Sequence, residues 1–144
     1  MFSKTCEYAI RAMIFIAQKS KDGNKVGFKE IAKGIDAPEY FIAKILQDLS
    51  RKGVVQSLKG PTGGFYLEEG SSKCSLADIV TAIDGNKLFK GCGLGLKSCN
   101  ERKPCPLHDK FKILRDHIKD MLEDAKIGEF SGALENKLSF LKRN

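Results

Sequence analysis

Apolar residues recur at helical spacing through the first third of the chain, interrupted only by short polar turns. Over Ser3–Ser20, Tyr8, Ile10, Met13, Ile14 and Ala17 fall on one helical face, with Ser3 or Thr5 as the cap. Lys21-Asp22-Gly23-Asn24 is a turn. Phe28–Gly34 reads as a short second helix with Ile31 and Ala32 inward and Gly34 as its stop. Asp36-Ala37-Pro38 suits a helix start. A third helix then runs from Pro38 to Lys52 on the stripe Phe41, Ile42, Ile45, Leu46 and Leu49. Arg51 and Lys52 suit its C-terminus, and Gly53 ends it.

The period then changes. Val54–Leu58 reads as a strand, Lys59–Gly64 as a glycine-rich turn and Phe65–Leu67 as the return strand. Ser75 caps a fourth helix over Leu76–Ile83, closed by Asp84-Gly85-Asn86. A long amphipathic helix follows from Leu107 to Ala125, carrying Phe111, Leu114, Ile118, Met121, Leu122 and Ala125. That stripe is too large for a lone peripheral helix, and a dimer seam would explain it. Ile127–Phe130 and the tail to Asn144 read as a further short helix or a loose end.

Helix, short helix, turn, helix and hairpin is the order of a winged helix-turn-helix. The expected fold is mainly α with a small β-hairpin wing and a long C-terminal dimerisation helix. Three segments follow: a DNA-binding domain over 1–72, a connecting helix and cysteine-rich loop over 73–106, and a dimerisation helix with tail over 107–144.

Composition agrees with such a reader. The 144 residues are 42% hydrophobic and 30% charged, with a net charge of +7. That is enough apolar material for one core, and a basic balance raises the expectation of nucleic acid. No apolar run approaches the ~18–20 residues of a membrane span. Met1–Phe15 does not have the pattern of a signal or transit peptide, so the expected location is the cytoplasm. There, the five cysteines are expected as thiols or ligands rather than disulfides.

Glu39, Tyr40, Lys44 and, one turn on, Asp48 are the exposed candidates on the third helix, which would enter the major groove. Lys29 on the second helix joins them. Lys59 sits at the wing tip with Gly60 and Thr62, where the backbone can approach a phosphate. The plain alternatives are solvated cations and a winged helix used for protein contact.

Cys92, Cys99, Cys105 and His108 follow the pattern C-x6-C-x5-C-x2-H in a stretch rich in Gly, Lys and small polar residues. Such a stretch has too little apolar surface to order itself by packing. Clustered thiols point to a metal or iron–sulfur cluster. Zinc with three Cys and one His competes, although the tight C-x2-C knuckle is absent; three free thiols are the remaining alternative. Cys6 and Cys74 read as structural, His117 as a surface residue and Glu7 as a solvated carboxylate. No nucleophile–base pair is evident, and the Gly-rich turn leads into a strand rather than a helix, so no enzyme is expected.

Taken together, the chain resembles the Rrf-type winged-helix regulators, the family of the IscR- and NsrR-like iron–sulfur regulators. The resemblance is carried by Tyr8–Met13 (YAIRAM), Leu46–Leu49, Lys52–Val55 (KGVV) and the wing Lys59–Leu67 (KGPTGGFYL). Ser75–Asp84 (SLADIVTAID), the three cysteines and Ile127–Phe130 (IGEF) complete it. It implies a homodimer on a palindromic operator in double-stranded DNA, with the long helix as dimer interface. It also implies a cluster on Cys92, Cys99 and Cys105 that senses redox state, nitric oxide or iron–sulfur status. The fourth ligand would be His108 or Glu7 of the partner subunit, and this chain keeps both residues. The first cysteine gap is one residue longer than the family's usual five. A [2Fe–2S] cluster is favoured over [4Fe–4S], because mixed ligation is better attested there. The runner-up function is a zinc- or cluster-stabilised interaction module without sequence-specific DNA binding.

Overall fold

The structure is a computed structural model and describes residues 1–70 and 73–143. The expected first segment boundary, at 72, and the last residue of the tail, Asn144, lie outside the described residues.

Helix α1 spans Lys4–Ser20 and is capped by Ser3, whose hydroxyl accepts from the Cys6 N–H at 3.0 Å. Its apolar face is the spine of the molecule: Cys6, Ala9, Ala12, Met13 and Ile16 are fully buried. Helix α2 covers Phe28–Ile35. It runs one residue past the expected stop because Asp36, not Gly34, takes the left-handed conformation that ends it (φ 53°). Gly34 serves packing instead, since a Cβ there would overlap the Phe15 ring. Helix α3 covers Glu39–Arg51, with Pro38 as its cap residue. Ile42, Ile45, Leu46 and Leu49 face inward as expected.

The hairpin pairs β1 (Gln56–Leu58) with β2 (Gly64–Tyr66), in the antiparallel register Gln56↔Tyr66, Ser57↔Phe65 and Leu58↔Gly64. Both strands are shorter than or offset from the expected spans. Val26 adds a one-residue bridge to the other side of β2 that period counting does not find. Its N–H donates to the Phe65 carbonyl at 2.9 Å, and its carbonyl accepts from the Phe65 N–H at 2.8 Å. Gly64 lies at φ 144° against the Val26 backbone, a place with no room for a side chain.

Helix α4 (Leu76–Asp84) opens with a reciprocal capping box between Ser75 and Asp78. A four-residue helix, α5 (Lys87–Lys90), follows; its single turn carries no periodic pattern to predict it from. After the cysteine loop comes α6 (His108–Asp124), then a 3₁₀ turn over Ile127–Phe130 and a short α7, Ser131–Glu135. The Leu76 N–H donates to Ala125, and the Ile127 N–H donates to Cys74, so the chain end of α6 closes back on the start of α4. Ile127 is fully buried in the same core as α1.

The expected stripe of α6 splits in two. Leu122 is buried and Phe111 and Ile118 are half-buried against the rest of the molecule. Leu114 and Met121 are instead 57% and 54% exposed, and Leu107 one turn-pair earlier is 38% exposed. Leu107, Leu114 and Met121 recur every seven residues, along one edge beside the buried face. Among the described residues, no helix is long and apolar enough to cross a membrane.

Candidate functional site

Two surfaces carry the chemistry. The first is the face formed by α3 and the wing. Glu39, Tyr40 and Lys44 on α3, Lys29 on α2, and Lys59, Gly60 and Thr62 at the wing tip are all exposed. The Lys44 ammonium lies 5.6 Å from the centre of the Tyr40 ring. Asp48 is half-buried and accepts from Lys52 at 3.1 Å and Arg51 at 3.4 Å, so its carboxylate is engaged within α3. Phe41 departs from expectation: it is 51% exposed and meets Tyr40 edge to face, with ring centres 5.8 Å apart. It precedes the buried Ile42 by one position, and a turn of 100° per residue carries it off the core side. A groove of about 480 Å³ runs between α3 and the wing, lined by Gln47, Ser50, Arg51, Ser57, Lys59 and Phe65 among others.

The second surface is the cysteine loop between α5 and α6. Of its four expected ligands, Cys99 and His108 are brought into contact. The Cys99 sulfur lies 3.4 Å from His108 Nδ1, and His108 itself is buried at the first turn of α6. Cys92 and Cys105 are half-buried in the same loop. Backbone N–H groups of Leu94 and Leu96, more than the Cys105 thiol, pull Cys92 below the ordinary thiol value. No three such side chains are gathered as a ready single-ion cage among the described residues. Between α5 and the loop lies a cleft of about 530 Å³, with Cys92 and Cys99 on its wall beside Lys87, Lys90 and Lys97. Glu7 is half-buried on α1, 4.0 Å from the Lys4 ammonium.

The loop is tied to α6 by polar contacts. Arg115 follows His108 by seven residues and projects from the same helical face. Its Nη1 donates to the Gly91 carbonyl at 2.7 Å, and its Nη2 to the Cys99 sulfur at 3.5 Å. Its Nε is buried with no partner among the described residues. Lys112 pairs with Glu101 at 2.6 Å, which holds the Glu101 carboxyl below and the Lys112 ammonium above their ordinary values. Gly93 lies against the Phe111 ring, where a Cβ would stand 2.5 Å from it. The i, i+7 relation of His108 and Arg115 was the available sequence clue to Arg115. Cys6 and Cys74 stand apart: burial pushes the Cys6 thiol up to about 12 and the Cys74 thiol up to about 11.

Soft thiol and imidazole donors suit iron–sulfur clusters and zinc, and a cation with an unused buried N–H beside them suits a bound anionic group. The donor set and its setting therefore fit a metal–thiolate group.

A three-helix head with a hairpin wing, followed by a helix with an uncovered apolar edge, defines a winged-helix DNA-binding regulator. The family model described as Rrf2, iron-dependent transcriptional regulator, matches residues 2–132, and the chain belongs to this family. An HTH-type transcriptional regulator of Aquifex aeolicus is 34% identical over 140 residues, spanning 96% of each chain. The regulator IscR of Pectobacterium atrosepticum is 26% identical over 122 residues, covering 85% of this chain and 73% of its own length. Among solved structures, CymR, the global cysteine regulator of B. subtilis, has a TM-score of 0.74 at 20% identity, covering 92% of this chain and 96% of its own. IscR of T. potens has a TM-score of 0.71 at 18% identity, covering 96% of this chain and 92% of its own. These two structural likenesses support the fold. The family and its named relatives are transcriptional regulators, not enzymes.

Proposed function

We propose that this Rrf2-family regulator is an iron–sulfur cluster-dependent repressor that senses redox state, nitric oxide or iron–sulfur status. The observation that carries the reading is the contact of Cys99 with His108, with the Arg115 guanidinium on the same sulfur, in a loop docked on α6. Mixed thiol and imidazole donors favour a [2Fe–2S] cluster over [4Fe–4S], since mixed ligation is better attested there. Cys92, Cys99 and Cys105 would hold the cluster. His108 is the favoured fourth ligand because it already lies beside a cysteine of the set; Glu7 of the partner subunit is its competitor. When bound, the cluster supplies a group that can change charge, oxidise or be lost.

The chain's own residues would carry that change to DNA. Leu107, Leu114 and Met121 would meet their counterparts in a homodimer, which sets the spacing of two heads on a palindromic operator. Tyr40, Lys44, Glu39 and Lys29 would face the major groove and phosphates, while Lys59, Gly60 and Thr62 would follow the wing to the adjacent backbone. The three segments 1–72, 73–106 and 107–144 would act as reader, sensor and dimer seam, in the cytoplasm.

Anaerobic isolation followed by absorption, Mössbauer and metal analysis tests the reading. Iron and sulfide with charge-transfer absorption are expected. His108→Ala is expected to alter the spectrum and Glu7→Ala to leave it; the reverse would move the fourth ligand to the partner's Glu7. A colourless protein with stoichiometric zinc would overturn the cluster reading.

A further inference from the structure

Arg115 is unusual among the described cations in having a buried donor with no partner among the described residues. One arm of its guanidinium is fixed on the Gly91 carbonyl at 2.7 Å, the other reaches the Cys99 sulfur at 3.5 Å, and Nε is enclosed and unpartnered. A buried polar N–H left unpaired is costly, more so when charged, and such groups are rare in folded proteins. The other loop cations are placed differently: Lys87, Lys90 and Lys97 are exposed, and Lys112 is paired with Glu101. The guanidinium is therefore the fixed positive charge at the thiol end of α6, held by the helix from below and by the start of the loop from above.

We propose that Arg115 sets the reduction potential of the group held at Cys99. It does so as a positioning residue that donates to the Cys99 sulfur and places a positive charge beside it; this rests on the cluster reading above. One-electron reduction, with the electron delivered by a low-potential chemical reductant through mediators, makes a thiolate-bound cluster one unit more negative. A fixed cation and N–H donors to sulfur stabilise that more negative state, and so raise the potential. Because Arg115 grows from the helix that also bears the exposed Leu114 and Met121, the same side chain ties the loop to the proposed seam.

The test is a mediated redox titration of anaerobically loaded full-length protein, wild type against R115M and R115K, with iron per protomer and visible absorbance recorded. R115M is expected to keep its absorbance bands and to lower the midpoint potential. The expected size is roughly tenfold in the one-electron reduction equilibrium, which is about 59 mV. R115K, which keeps a point charge but not the fork, is expected to fall between. If R115M loads less than half its iron, R115Q, which is neutral and keeps N–H donors, is titrated in its place and should also move to lower potential. A loaded neutral variant with the wild-type potential would overturn the proposal. So would failure of both neutral variants to load while their far-UV circular dichroism matches wild type, since Arg115 would then be only a strut for the loop. A wild-type protein that takes up no cluster would instead remove the reading on which the proposal rests.

Discussion

Between Lys4 and Tyr66, the side chains of Ile31, Ile35, Ile42, Leu46 and Leu49 are fully buried in one continuous core with α1. Between Gly91 and Pro106 no apolar side chain is buried, and Leu94 and Leu96 stand 49% and 55% exposed. The head is held by apolar area, at roughly 25 cal/mol per Å² removed from water. The loop is held instead by a few polar contacts to α6, from Arg115 to the Gly91 carbonyl and Cys99 sulfur and from Lys112 to Glu101. A region of the first kind keeps its shape whatever the ligand state. A region of the second kind can be ordered or released by what binds to it, which is the property a sensor needs.

The sharpest break of this contrast is Leu46→Ala. It should cost the head about 2–5 kcal/mol in chemical denaturation, by loss of transfer energy and the cavity left behind. Chelation should leave that figure unchanged while speeding tryptic cleavage at the exposed Lys97 and Arg102. Equal protection of the loop before and after chelation would mean that the loop does not depend on a bound group. Met121→Lys comes next. It should remove a contribution of about 1.5–3 kcal/mol per protomer from the proposed seam, and light scattering should show the dimer dissociating at concentrations where wild type stays paired.

Smaller effects separate the reader from the sensor. Lys59→Ala should weaken operator binding about uniformly across sequences and reduce the salt slope by about 1; a change confined to one base position would instead mean direct base reading by the wing. The least effect is expected from Cys74. Its thiol is raised from an unfolded value of 9.0 to about 11, chiefly by burial. The folded state therefore holds the proton more tightly than the unfolded one. Its contribution is fully present below pH 9 and is lost as pH rises toward 11. The difference in stability between wild type and Cys74→Ala should shrink over that window and be flat below it.

The head was legible because its periods are long and its punctuation is strong. Ser3, Ser75 and the inward face of α3 fall where the pattern places them. Errors came where a local rule met a tertiary demand. Gly34 looked like a stop, but the Phe15 ring needs its missing side chain. Phe41 looked like core, but one position of helical turn exposes it. The Val26 rung comes from a single residue with no pattern around it. At the loop, cysteine spacing picks out the candidate residues but not the contact of Cys99 with His108. The contact of Arg115 with Cys99 depends on a fold-back of sixteen residues that no periodicity encodes.

The central claim is that the state of the loop changes how the head binds DNA. The direct measurement is the affinity for one operator, such as the protein's own promoter, of anaerobic cluster-loaded protein against cluster-free protein at several fixed salt concentrations. The account predicts a difference of about 5–150-fold, corresponding to a coupling of about 1–3 kcal/mol, with similar salt slopes for the two forms. Equal affinities at every salt concentration would contradict it.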